Sequence, residues 1–313
     1  MTDPAPPASP RVAFLGPEGT FTSEATRRAV PDADHLPLAT IGEVVDAVRD
    51  ASAELGVVPI ENSIEGSVNL TLDALAFGRP GVRICGEVTI PITMNLLAKP
   101  GATLAGVTTV CSQPHALAQC RGWLAAHLPS VAVEAATSTA EAAREVAAGN
   151  GSDAALGPAV AAERYGLAVL ATDVHDFDGN TTRFVVLGRS MAPPSGADKT
   201  SVVVFFGEDR PGLLLRILDE FALRGINLTK IESRPTKQAL GEYCILIDCA
   251  GHVTEARLAE ALRSVHRHVA ELRVLGSYPR ADGLADPPAP RDSDEAYARA
   301  GEWYAALLAE VGI

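Results

Sequence analysis

The amino-acid sequence predicts an α/β protein in two parts: a two-lobed α/β region over residues 11–189 and, behind it, a smaller βαββαβ domain over residues 199–278. Three observations carry that prediction. Short apolar runs alternate with amphipathic stretches from residue 11 onward, the pattern of strands joined by crossover helices. The stretch Ser190-Met191-Ala192-Pro193-Pro194-Ser195-Gly196-Ala197-Asp198 then interrupts the pattern with turn formers and reads as a linker. After it the order becomes strand, helix, strand, strand, helix, strand, which is ferredoxin-like. A chain of 313 residues is also too long for one small core, so two or three domains are expected.

In the first lobe (residues 11–88 with 175–189), residues 12–15 read as a strand and Gly16-Pro17-Glu18-Gly19 as a turn. Thr20 or Thr22 caps a helix through Ala25 and Ala29. A strand near residues 35–39 and a helix over 41–51 follow, the helix with Val44, Val45 and Val48 on one face. Residues 55–60 form an apolar run of the fully buried, parallel-strand type that ends in Glu61-Asn62-Ser63. The second lobe (residues 89–174) begins in the apolar stretch 88–97. It continues with a strand at 107–111, a helix at 114–127 and a strand at 131–135. Ser138-Thr139-Ala140-Glu141 is a capping box opening the helix to Ala148. A strand at 153–156, a helix at 158–165 with Pro158 in its first turn, and a strand at 168–172 complete the lobe. The sheets should hold many parallel strands, and the two lobes should enclose a cleft, a favoured place for ligands.

In the βαββαβ domain the strands are expected at 200–206, 226–234, 242–249 and 269–277, with helices at 211–224 and 253–266. Residues 279–313 end in a pattern containing Trp303, Tyr304, Leu307 and Leu308, which suggests a docked terminal helix with the two aromatics as packing anchors. Residues 1–10, with prolines at 4, 6, 7 and 10, read as a disordered leader and not as a signal peptide.

Composition narrows the function. A net charge of −13 argues against nucleic acid as the main partner, because a phosphate-binding surface concentrates Lys and Arg. A few buried arginines can still dominate a pocket for a small anion. No apolar run reaches the about 20 residues of a membrane helix. Cys85, Cys111, Cys120, Cys244 and Cys249 are widely spaced without a C-x-x-C pair, so reduced thiols, a cytoplasmic location and no metal site are expected. The histidines at 127, 252, 266 and 268 fall on helices or their ends, where exposure is expected.

Four segments carry chemistry. Asn180-Thr181-Thr182-Arg183-Phe184 places two hydroxyls and a guanidinium at the mouth of the strand Val185-Val186-Leu187, a combination suited to an anionic substrate with a departing oxygen. Gly16-Pro17-Glu18-Gly19-Thr20-Phe21 opens a helix whose N–H groups could hold a carboxylate, and it lacks the lysine of a P-loop. Pro59-Ile60-Glu61-Asn62-Ser63-Ile64-Glu65-Gly66-Ser67 and Cys111-Ser112-Gln113-Pro114-His115-Ala116 crowd polar groups after buried strands, where open sheets place their ligands.

The spacing from Tyr165 through Leu167, Leu170 and Asp176 to Thr182-Arg183-Phe184 resembles the signature of prephenate dehydratases, and Leu228-Thr229-Lys230-Ile231-Glu232-Ser233-Arg234-Pro235 resembles a second signature of that family. The likeness covers residues 11–278. One departure is visible: this chain reads Ser112-Gln113-Pro114-His115 where family members usually read Ser-His-Pro-Gln.

The resemblance implies a periplasmic-binding-protein-like catalytic domain of two lobes, followed by an ACT regulatory domain. It implies removal of water and CO2 from prephenate to give phenylpyruvate in phenylalanine biosynthesis, without a cofactor. It casts Thr182 as the catalytic threonine, Arg183 as a ligand of the substrate anion and Phe184 as a pocket wall. Glu18, Gly19, Thr20, Glu61, Asn62, Ser63, Ser112 and Gln113 are the further candidate substrate contacts. In the ACT domain Gly212, Leu213, Leu214, Asn227, Leu228, Glu232, Ser233 and Arg234 are candidates for a phenylalanine effector site, with pairing into a homodimer or homotetramer through ACT domains. An alkyl hydroxyl is too weak an acid to surrender a full proton near neutral pH, so Thr182 is expected to donate a hydrogen bond to the leaving hydroxyl, while Glu18, Glu61 or water supplies any net proton. An arogenate dehydratase, or a non-catalytic amino-acid-sensing protein, are the alternatives.

Overall fold

The computed structural model describes residues 9–149, 153–207, 210–237, 239 and 241–311. Most of the expected leader lies outside the described residues. The chain divides into two compact units, Met1–Ala74 with Val88–Leu187, and Leu75–Glu87 with Gly188–Ile313.

The first unit contains, in chain order, β1 (Arg11–Leu15), α1 (Phe21–Ala29), β2 (Asp34–Leu38), α2 (Ile41–Arg49), β3 (Leu55–Asn62), β4 (Gly66–Ser67), most of α3 (Asn69–Ala76) and the later part of β5 (Arg83–Pro91). Next come β6 (Asn95–Ala98), β7 (Thr109–Ser112), α4 (Pro114–Gln119), α5 (Arg121–His127), β8 (Ala132–Ala135), α6 (Thr139–Ala148), β9 (Ala154–Gly157), α7 (Ala159–Tyr165), β10 (Ala168–Ala171) and β11 (Thr181–Gly188). One sheet runs β2-β1-β3-β11, parallel except for β11. The other runs β10-β6-β9-β7-β8, with β6 antiparallel to both its neighbours. Parallel strands therefore form the centre of each lobe, while antiparallel strands carry the chain across. Two segments make the crossing: Ile92 N donates to Asn180 O at 2.8 Å, and Val174 N to Met94 O at 2.8 Å.

Local chemistry explains most of these elements. Thr40 and Glu43 close a capping box at α2, a device contributing about 1 kcal/mol. Val12, Phe14, Val57, Ile90, Leu96 and Leu156 share one apolar cluster, each burial contributing roughly 1.5–3 kcal/mol. The expected helix over 114–127 is in fact two helices with a break at Cys120. Its cause lies far away in sequence: the Asp176 carboxylate accepts from Gly122 N at 2.7 Å and Trp123 N at 2.8 Å, so α5 begins anew against the segment between β10 and β11. Helix α3, a plain apolar segment after two short polar loops, was not expected from the pattern.

The second unit contains β12 (Asp198–Phe205), α8 (Leu213–Ala222), β13 (Leu228–Pro235), β14 (Tyr243–Ala250), α9 (Ala256–His268), β15 (Glu271–Pro279) and α10 (Asp294–Glu310). Its antiparallel strands run β13-β14-β12-β15, the ferredoxin-like arrangement. Strand alternation sorts the two faces. Val202, Val204 and Ile247 join Ile217, Phe221 and Leu258 of the helices in one cluster. On the opposite side, Lys199 Nζ pairs with both oxygens of Glu87 at 3.0 Å. There Ser201 Oγ donates to Asp248 Oδ1 at 2.6 Å and lies 2.7 Å from the Tyr278 hydroxyl. Asp198, expected in the linker, is buried and begins β12, its carboxylate gathering Ser195 N, Ser195 Oγ and Gly196 N.

Two expectations fail here. Helix α10 forms, yet none of its residues is buried: Trp303 is 67% and Tyr304 54% exposed, so neither anchors the tail to this chain. Its start is tied down by Ala256 N, which donates to Asp294 Oδ1 at 2.7 Å. His252 is buried and not exposed, its ring 2.8 Å from Thr254 Oγ1 and 3.1 Å from Ala192 O.

Candidate active site

The polar loops of the first unit follow the C-terminal ends of β1, β3 and β7, where open sheets place ligands. β11 returns antiparallel beside β3, bringing Thr182 opposite Asn62 and Arg183 opposite Glu61. The register skips Ile60, giving a bulge next to these pairs that re-aims the side chains at the strand end.

Thr182 is 8% exposed and Asn180 4%, so their polar atoms need partners. Asn62 supplies them. Its Nδ2 donates to Thr182 Oγ1 at 2.8 Å and to Asn180 Oδ1 at 2.7 Å. Its Oδ1 accepts from Ile64 N and Glu65 N, both at 2.9 Å, and backbone N–H groups only donate, which fixes the amide's orientation. Thr182 Oγ1 therefore accepts, and its own proton is directed elsewhere. Asn180 Nδ2 donates to Gln119 Oε1 at 3.1 Å, and Gln119 Nε2 to Glu65 Oε1 at 3.1 Å. Glu65 Oε2 lies 3.3 Å from His115 Nδ1.

The remaining candidates fall into three groups. Arg183 and Glu61 form an ion pair at 3.2 Å, with the arginine side chain 11% exposed. Glu18 pairs with Arg164 Nε at 3.0 Å, and its carbonyl accepts from the Tyr165 hydroxyl at 3.2 Å, joining the loop after β1 to the end of α7. Burial pushes the Tyr165 phenol above its usual value. Gly19 has φ +84, and a Cβ there would stand 3.2 Å from the Tyr165 ring, so only glycine suits the contact.

The third group performs structural tasks. Thr20 caps α1, accepting from Ser23 N while donating to Pro17 O. The Gly19 N–H goes to Ser23 Oγ, which removes it from any carboxylate. Ser63 Oγ accepts from Thr181 N at 3.0 Å and stitches β3 to β11. Ser112 is fully buried and donates to Leu156 O at 2.7 Å. Gln113 precedes α4 and is exposed. Phe184 sits in the same apolar cluster as Phe14 and Val57. The sequence reading missed Glu65, Gln119, Asn180 and Arg164 as site members. Gln119 was within reach of the pattern, one helical turn beyond His115 on α4; Glu65 and Asn180 stood inside loops already singled out.

In the second unit a cavity of about 970 Å³ is lined by Gly212, Leu213, Leu214 and Ser233, with Arg210 and Glu242 also at its wall. Gly212 has φ +84 and precedes α8. Asn227, Leu228, Glu232 and Arg234 do not line it. Leu228 packs against the domain core, and Glu232 lies 3.3 Å from Lys230 Nζ.

Residues 12–192 match the family model "Prephenate dehydratase" and residues 201–267 the model "ACT domain". A prephenate dehydratase of Mycobacterium bovis is 46% identical over 291 residues, 89% of this chain and 90% of its own length. Among solved structures, the prephenate dehydratase of Arthrobacter aurescens in complex with L-Phe superposes with a TM-score of 0.88 at 42% identity, covering 95% of this chain and 99% of that one. A structure described as GqqA, a novel type of quorum quenching acylase, gives a TM-score of 0.78 at 32% identity over 88% of this chain and 98% of that one. The chain belongs to the prephenate dehydratase family and carries an ACT domain behind its catalytic unit.

Proposed function

We propose that this protein performs the decarboxylating dehydration of prephenate to phenylpyruvate, a carbon–oxygen lyase reaction, with Thr182 as donor to the departing hydroxyl. One observation carries the assignment of Thr182: its Oγ1 accepts from an amide of fixed orientation, so its own O–H is the donor available to substrate. Aromatisation drives the reaction, and the protein's task is to hold the substrate and stabilise charge on the leaving oxygen. Arg183, held by Glu61, supplies the cation for a substrate carboxylate. Glu18 and Glu61 are each occupied by an arginine, which leaves water as the source of the net proton.

The ACT domain supports regulation by phenylalanine, bound in the cavity at Gly212, Leu213, Leu214 and Ser233, with coupling to catalysis of roughly 1–3 kcal/mol. Pairing of ACT domains into a homodimer or homotetramer is supported by β13, which ends its sheet with Ile231 49% exposed. The catalytic domain is assigned to residues 11–189 and the regulatory domain to 199–278, in a cytoplasmic enzyme. No described helix is long and apolar enough to cross a membrane.

Purified protein supplied with prephenate and followed by phenylpyruvate absorbance with and without phenylalanine, with a parallel arm on arogenate followed by release of phenylalanine, tests the reading. Turnover of prephenate that phenylalanine suppresses is expected. Preference for arogenate, or no turnover of either, overturns the substrate assignment, and indifference to saturating phenylalanine overturns the effector.

A further inference from the structure

The bonds around Thr182 close on themselves. Glu65 N donates to Asn62 Oδ1, Asn62 Nδ2 to Asn180 Oδ1, Asn180 Nδ2 to Gln119 Oε1, and Gln119 Nε2 returns to the Glu65 carboxylate. Every bond in this ring runs in one sense, which lets each polarise the next. One residue sets the sense at both ends, because a backbone N–H can only donate and an ionised carboxylate can only accept.

The members come from three places: Asn62 and Glu65 from the first lobe, Gln119 from α4 of the second, and Asn180 from the segment that crosses between them. Asn180 and Gln119 are 4% and 8% exposed, so reversing either amide would leave like groups facing each other in a buried place, a costly arrangement. Thr182 hangs from this ring by one bond, to the same Asn62 nitrogen that serves Asn180.

We propose that Glu65 is a positioning residue for the dehydration: by closing the Asn62–Asn180–Gln119 ring it ties α4 of the second lobe to Asn62 and holds the Thr182 hydroxyl as a donor toward the cleft. This rests on the reading of Thr182 as donor. Glu65 acts through Asn62 and is not itself assigned a contact with substrate. His115, on the other carboxylate oxygen and with a side chain 68% exposed, is secondary to this function.

Steady-state kinetics with prephenate on the full-length protein test it. Glu65→Ala removes the acceptor and should lower kcat roughly tenfold, the scale of losing a charged hydrogen bond, while KM stays within about twofold. Glu65→Gln keeps an acceptor oxygen in place and should retain kcat within about threefold. Glu65→Asp, which withdraws the carboxylate by one methylene, should reproduce the loss in kcat and so guards against an alanine variant that fails to fold. In a Thr182→Val background Glu65→Ala should cost no more than about twofold, because the hydroxyl it positions is gone. The proposal is overturned by wild-type kcat in both Glu65→Ala and Glu65→Asp, by a loss confined to KM, or by the same loss in both backgrounds. Full turnover by Thr182→Val alone would instead remove the donor reading, and wild-type protein inert toward prephenate would remove the function on which both rest.

Discussion

The two units treat their polar residues in opposite ways. In the catalytic unit, loops from both lobes and the crossing segment converge until amides, a carboxylate and a hydroxyl satisfy one another within a single chain. In the ACT unit, the residues first expected to act together separate: Gly212, Leu213, Leu214 and Ser233 line a cavity, while Asn227 and, on the edge strand it leads into, Leu228, Glu232 and Arg234 lie outside it. A two-lobed sheet pair brings distant loops together by construction, since its parallel strands all end at the cleft. An antiparallel sheet spreads its strand ends over two edges, and an edge strand presents its outer groups to whatever binds there.

The largest way to break this comparison is at Thr182. Thr182→Val should lower kcat by roughly 10²–10³, the loss typical of one preorganised donor, while Thr182→Ser keeps much of the rate. Near-normal kcat in the valine variant would end the claim that the first unit's network serves catalysis. Next in size is Arg183→Ala, which removes a cation and leaves Glu61 behind. It should raise KM for prephenate by roughly tenfold or more, and a KM equal to wild type would exclude Arg183 as the anion ligand.

Gly212→Val sharpens the second half of the comparison. The native φ of +84 is strained for a β-branched residue, at a cost of about 1–2 kcal/mol. Binding of phenylalanine, measured by calorimetry, should weaken by a larger factor than uninhibited turnover does. Equal losses would show that the cavity is not the effector site.

The smallest effect is chemical. Burial, with a contribution from Asp176, pushes the Cys120 thiol up to about 12. A raised value in the folded state means that the protonated thiol favours folding below the unfolded value, and that stability is lost as pH climbs from about 8.5 toward 12. Folded protein should resist alkylation at Cys120 at pH 8, with labelling followed by mass spectrometry appearing only on unfolding. Rapid labelling of the native protein would contradict the packing around α4 and α5.

Much of this was legible in the residues. Apolar runs of four to six residues placed most strands because burial demands them, and Ser138-Thr139-Ala140-Glu141 marked a helix start, of which the structure keeps the Ser138 half, its side chain accepting from Glu141 N. Helix α3 escaped because its eight residues carry no clear apolar stripe. The break at Cys120 escaped because Asp176, more than fifty residues downstream, creates it. His252 was misjudged for the same reason: its partner Ala192 lies far off in the linker.

What the sequence determined by itself is therefore periodic or local: most of the strands and helices, and that Thr182 and Arg183 stand at a strand mouth. Only the tertiary structure decided which polar groups face one another. Thr20, Ser63 and Ser112 looked as eligible as Asn62, yet they cap a helix, join two strands and bond a buried carbonyl. Glu65 and Gln119, fifty-four residues apart, became partners. A hydrogen bond depends on direction over about 3 Å, and no spacing along the chain records the folding of two lobes that brings donor and acceptor to that distance.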